Sequence, residues 1–171
     1  MSESNVKISV VVPVYNEAGN VGALYGELVK ELSELNIGYE IIFVDDGSTD
    51  NTLHKLTELK RVKIVILSRN FGQTAAFAAG IYHAKGEWII TIDGDRENDP
   101  ADINRLLLRA EEGFDIVSGW RKSRWSGQFL SRRLPSWLAN KLISYTTGVS
   151  LHDHGCSLKI YRRSCLEGLK I

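Results

Sequence analysis

Short runs of β-branched and apolar residues alternate with segments of helical periodicity along this 171-residue chain. That alternation limits the possible folds more than any other feature. "VKISVVVPVY" is almost entirely apolar, as a strand buried on both faces requires. After it, Val21, Leu24, Tyr25, Leu28, Leu32 and Leu35 recur at helical spacing. "YEIIFV", "VKIVIL", "EWIITI" and "FDIVSG" read as further strands. "TDNTLHKLTELK" and "QTAAFAAGIYHAKG" read as helices, the second stopped by Gly86. Asp99 and Pro100 have the character of an N-cap and a first helical residue, with Gly113 closing that helix. Strand–helix alternation with short links predicts an α/β fold, a mostly parallel sheet with helices on both faces. Beyond Gly119 the pattern gives way to a basic, Trp-containing stretch, a helix from about Pro135 and a last strand-like run, "SLKIYR".

An apolar content of 43% over this length suits one globular domain with a real core. No apolar run approaches the ~18 residues needed to cross a bilayer, and no signal-peptide pattern opens the chain. Cys156 and Cys165 are the two cysteines, without metal-ligand spacing, which points to a reduced, cytosolic setting. The formal net charge is zero but unevenly spread. From Ile116 to His152 the chain holds Arg121, Lys122, Arg124, Arg132, Arg133 and Lys141 and no acid, so the remainder is acidic.

In sheets of this type ligands bind beyond the carboxyl ends of the strands. The polar residues collect there: "PVYNE" after the first strand, "DDGSTD" after the second, "SRNFGQ" after the third and "DGDRE" after the fourth. Residues two apart on an extended strand end project the same way, so Asp93 and Asp95 can share a partner. Two converging carboxylates suit a hard divalent cation. Asp99 reads as a helix cap instead. The chain has neither GxxxxGK nor GxGxxG after its first strand, which excludes a P-loop and a dinucleotide fingerprint. A phospho-acceptor signalling domain would need an aspartate after the third strand, where "ILSRN" stands.

"VVPVYNE", "VDDGSTD", "RNFGQ", "DGD" followed by "NDP", and "SGWR", in this order, resemble a family 2 glycosyltransferase. Within it the chain is similar to the dolichyl-phosphate mannosyltransferase branch, whose members transfer a sugar from a nucleotide to a polyprenyl phosphate. The resemblance covers about residues 8–163. It implies a GT-A fold, Rossmann-like, with residues 1–119 handling the nucleotide sugar and metal and 120–171 facing acceptor and membrane in a single catalytic domain. It places Pro13, Tyr15 and Glu17 around the nucleoside and Val44 and Asp46 along the base pocket. It makes Asp93, Gly94 and Asp95 the DxD motif that holds Mg²⁺ or Mn²⁺ against the donor diphosphate, where the cation stabilises charge on the departing nucleotide.

Two departures from the family pattern stand out. Arg96 and Glu97 replace an apolar residue and a Gln; Glu97 is a candidate third metal ligand, and Arg96 is expected to offset its charge. Family members also continue beyond "SLKIYRR", so C-terminal elements and any membrane anchor are expected to lie outside this chain. Trp120, Trp125, Trp137 and Phe129 sit among the basic residues, a pattern suited to anionic lipid and to the headgroup level of a bilayer. The expected place is therefore the cytoplasmic face of a membrane. Arg121 is a phosphate contact by its position in the family, with Arg124, Arg132 and Arg133 as further acceptor or membrane contacts. Neutral overall charge and the acidic sheet edge argue against nucleic acid. A phosphate acceptor, largely dianionic at neutral pH with a second pKa near ~6, needs no base, whereas a sugar hydroxyl needs one, for which Asp153 is the candidate. The expectation is an inverting transfer of a mannose- or glucose-type hexose from a GDP- or UDP-sugar to a polyprenyl phosphate. The alternatives are a saccharide-hydroxyl acceptor and a nucleotide-sugar-binding domain without turnover.

Overall fold

The computed structural model describes residues 6–120 and 155–167. Six strands form one sheet in the order β3-β2-β1-β4-β6-β5. They are β1 (Ile8–Val14), β2 (Tyr39–Asp45), β3 (Val62–Ile66), β4 (Trp88–Thr91), β5 (Ile116–Ser118) and β6 (Lys159–Arg162). β1 is central and parallel to both neighbours: Ile8 stands opposite Tyr39 of β2 and Trp88 of β4. The strand expected from "SLKIYR" is present as β6, and it enters antiparallel between β4 and β5. The mostly parallel sheet of the sequence reading is thus observed, with one reversed strand inserted.

Alternation along β1 explains the two-sided core. Ile8, Val10, Val12 and Val14 face one cluster with α1 (Val21–Glu34), α2 (Thr52–Thr57) and α4 (Asp102–Glu111), while Val11 faces the other with α3 (Gln73–His83). Leu24, Leu28 and Leu32 of α1 are fully buried against the first face. Each such side chain contributes roughly 1.5–3 kcal/mol by leaving water.

Helix boundaries depart from expectation for local reasons. α3 ends at His83, before Gly86, because the Lys85 and Gly86 amides donate to the buried Ser9 hydroxyl at 3.1 and 2.8 Å and pull the chain toward β1. α4 begins at Asp102. Asp99 still caps its approach, its Oδ1 accepting the Ala101 amide at 3.0 Å, but Pro100 lies in a turn ahead of the helix. α2 is shorter than its pattern, closing with Glu58 and Leu59 amides that reach back only three residues.

α3 is apolar nearly all round and sits close on the sheet through Gly80. A Cβ there would lie 2.2 Å from Cγ1 of Val11 and 2.9 Å from Cγ2 of Val44. Gly→Ala inside an exposed helix stabilises by up to about 1 kcal/mol. Gly80→Ala is expected to do the reverse and cost roughly 1–3 kcal/mol, since the β-branched neighbours cannot rotate away. Urea unfolding with an unchanged m-value and a lowered midpoint checks this.

Candidate donor site at the sheet edge

The chain turns opposite ways after β1 and after β4, so their loops diverge and leave a crevice at the topological switch point. A cleft of about 480 Å³ opens there. Pro13, Tyr15, Glu17, Asp46, Asp93, Gly94, Asp95 and Glu97 all line it, so the structure brings together eight of the residues singled out in the sequence. Val44 does not join them. It is fully buried between the sheet and α3, because on β2 it points to the opposite side from the cleft-forming loop. Arg121, Arg124, Arg132, Arg133 and Asp153 lie outside the described residues.

Side chains hold the first two loops together. Asn16, in left-handed backbone at φ 56°, accepts the Thr49 amide at 2.8 Å and the Asp50 amide at 3.3 Å through Oδ1, while its own amide donates to the Ser48 hydroxyl at 3.0 Å. Asparagine tolerates that backbone better than most residues. The Glu17 amide donates to Thr52 Oγ1 at 2.8 Å, and Asn20 donates to the Glu17 carboxylate at 2.6 Å. Lys55 closes the join through the Ala18 carbonyl at 2.6 Å. The third loop is fixed by Asp46, whose oxygens accept the Phe71 and Gly72 amides at 2.8 and 2.9 Å.

The acidic loop after β4 sits hard against β1. A Cβ on Gly94 would fall 2.9 Å from the Pro13 carbonyl oxygen and 2.8 Å from Val14 Cγ1, so a larger residue would push the loop away. Asp93 accepts a hydrogen bond from the Gln73 side chain, and Asp95 accepts the Glu97 amide at 2.9 Å. Arg96, at φ 65°, does not offset Glu97 as expected. Its guanidinium turns back to α1 and pairs with Glu27, leaving the described cleft lining with five acids and no cation. Among the described residues no three His, Cys, Asp or Glu side chains converge on one point.

Asn98, within "NDP", carries no signal of its own in the sequence. It is buried, donates to Ser157 Oγ at 2.9 Å and accepts from the Cys156 thiol at 3.4 Å, tying the acidic loop to the lead-in of β6. Gln73 in "RNFGQ" and Asn16 in "PVYNE" likewise have no spacing that distinguishes an anchor from ordinary loop polarity. A second cavity of about 810 Å³ lies beyond Glu97, between α4 and β5, with Arg105, Arg109 and Trp120 on its wall.

A mostly parallel sheet of this order with helices on both faces has the GT-A fold of the solved structures it matches. The chain belongs to Glycosyl transferase family 2, whose family model matches residues 9–169. It is 47% identical over 173 residues to the dodecaprenyl-phosphate galacturonate synthase of Rhizobium johnstonii, covering 98% of this chain and 51% of that protein. The chain thus spans about half the length of this curated relative. Solved structures share the fold: mannosyl-3-phosphoglycerate synthase from Rubrobacter xylanophilus superposes with a TM-score of 0.76 at 17% identity, over 94% of this chain and 54% of that one. Staphylococcus aureus TarS, solved with UDP-GlcNAc, gives a TM-score of 0.64 at 23% identity over 94% and 46% of the two chains.

Asp50 makes one part of this edge sensitive to acid. The Thr52 hydroxyl, and then the Thr52 and Ala18 amides, hold its carboxyl below the usual 3.8. Because the folded value is depressed, the contacts are intact above about pH 4 and are lost as pH falls through the folded value. Amide protection factors at Ala18 and Thr52 should therefore drop on acidification, and Asp50→Asn should flatten that dependence.

Proposed function

We propose that this chain is the donor-binding part of an enzyme that moves a sugar, with inversion, from a nucleoside diphosphate to a polyprenyl phosphate at a membrane surface. The observation that carries the proposal is the gathering of Asp93, Asp95 and Glu97 in the cleft at the switch point. The similarity to a polyprenyl-phosphate galacturonate synthase over nearly the whole chain supports the acceptor class. It also favours a hexuronate over the mannose- or glucose-type sugar expected from the sequence. The family leaves GDP and UDP as candidate donors.

A divalent Mg²⁺ or Mn²⁺ fits the residues present. All the acidic groups offer hard oxygens, and Mg²⁺ is commonly held by one or two carboxylates with substrate phosphates completing its shell. Asp93 and Asp95 would hold it, with Glu97 beside them. When bound, the cation supplies Lewis acidity to the departing nucleoside diphosphate. Pro13, Tyr15 and Glu17 bind and orient the nucleoside end, and the snug Gly94 keeps the acids against β1.

The acceptor needs cations more than a base, since its phosphate is the nucleophile. Arg121 is the proposed phosphate contact, supported by its place in "SGWR", with Arg124, Arg132 and Arg133 toward the membrane. Among the described residues no helix is long and apolar enough to cross a membrane.

The test is release of free nucleoside diphosphate from UDP- and GDP-hexoses and UDP-hexuronates, with and without polyprenyl phosphate, using the full-length protein. Asp95→Asn should lower kcat/KM at least ~100-fold through loss of several kcal/mol of charge stabilisation, and calorimetry should show its nucleotide affinity no longer rising with Mg²⁺. Glu97→Gln should weaken the cation while leaving nucleotide affinity at saturating Mg²⁺ nearly intact. Arg121→Ala should cost ~10- to 100-fold, the value of a charge-assisted hydrogen bond, and more than Asp153→Asn. A larger loss in Asp153→Asn would instead identify a hydroxyl acceptor.

A further inference from the structure

The Asp46 carboxylate is buried at the end of β2, with both oxygens engaged by backbone amides of Phe71 and Gly72. Those two residues lead directly into Gln73, the first residue of α3. The Gln73 side-chain amide in turn donates to Oδ1 of Asp93. One run of hydrogen bonds thus joins the ends of β2, β3 and β4. Asp93, Asp95 and Glu97 repel one another, and Arg96, the nearest cation in sequence, is committed to Glu27. The bond from the Gln73 side-chain amide joins Asp93 to the start of α3 within the cleft that both residues line.

We infer that Gln73 and Asp46 are positioning residues for Asp93: Gln73 holds the carboxylate in place, and Asp46 fixes the loop that delivers Gln73. This rests on the reading of the cleft as the cation and diphosphate site. The choice of a neutral donor has a chemical reason. A lysine or arginine at this position would neutralise Asp93 and compete with a divalent ion for it, whereas an amide directs the carboxylate and leaves its charge available. For Asp46, commitment of both oxygens to the 71–72 backbone gives it a structural task that does not depend on contact with the nucleobase.

Gln73→Met keeps the length of the side chain and removes its donor, at a solvent-facing helix start where folding is undisturbed. Calorimetric titration of UDP and GDP in Mg²⁺ and in EDTA separates the roles. The expected result is about tenfold weaker nucleotide binding in Mg²⁺ and unchanged binding in EDTA, the loss of one hydrogen bond to a charged group. Binding in Mg²⁺ equal to wild type overturns the inference. So does an equal loss in EDTA, which would make Gln73 a direct nucleotide contact. If the wild-type protein shows no Mg²⁺ enhancement, the cation reading fails, and hydrogen exchange of the ligand-free protein decides the positioning role alone. Gln73→Met should then speed exchange over residues 92–98, and Asp46→Asn over residues 70–74; unaltered exchange over 92–98 in Gln73→Met overturns it.

Discussion

Parallel strands deliver their carboxyl ends to one edge of the sheet, and everything at the candidate site depends on how the loops leaving that edge are held to one another. The strands alone set only their starting points. Asn16 supplies acceptors to the loop after β2, Asp46 anchors the loop after β3, and Gln73 reaches the loop after β4. One buried side chain, Asp46, and two exposed ones, Asn16 and Gln73, thus stand in for backbone pairing where four loops diverge. Each of these bonds leaves few backbone groups unsatisfied in an irregular region, which is the usual difficulty of building a site from loops.

Charge is arranged in the same economical way. The charged residues in the described lining of the cleft are all acids, and Arg96, inserted in the midst of the acidic loop, is directed away to Glu27 on α1. Exposed ion pairs of this kind stabilise by at most about 1 kcal/mol. Its effect is better seen in geometry: a left-handed residue pinned to a helix sets the turn that carries Asp95 and Glu97. Directing Arg96 to Glu27 leaves the charged residues of the described lining all of one sign.

The acidic loop is also joined to a distant part of the chain. Asn98, buried, binds Ser157 and Cys156 just ahead of β6, and Thr91 donates to the Ser157 carbonyl at 2.6 Å. β6 itself lies between β4 and β5. The residues that return the chain from its basic stretch are therefore registered directly against the strand that bears the acids. A site assembled from loops gains from such a rigid common frame, because misplacement of reacting groups by an ångström is costly in rate.

Periodicity and the position of polar clusters made much of this legible from the amino-acid order alone. The strands, the helices and the loaded edge with its acids follow from alternation and from the rule that ligands sit beyond strand ends, while Pro13, Tyr15, Glu17 and Asp46 stood out through the family resemblance. Family membership followed from motif order, and the comparisons agree with it. What the order of residues could not carry was the direction of individual side chains across loops. Val44 and Asp46 are two apart, yet one is sealed against α3 and the other opens on the cleft, because the strand ends between them. Arg96 beside Glu97 suggested mutual neutralisation, and only the approach of α1 turned it to Glu27. β6 gave a strand signal but not its reversed place between β4 and β5, since strand neighbours far apart in sequence are chosen by packing and not by local propensity. The sequence therefore determined which residues are polar, which segments are regular and at which edge chemistry collects. Tertiary structure decided which of those polar groups are anchors and which are free to meet a ligand, because hydrogen-bond partners between loops exist only once the sheet has brought the loops together.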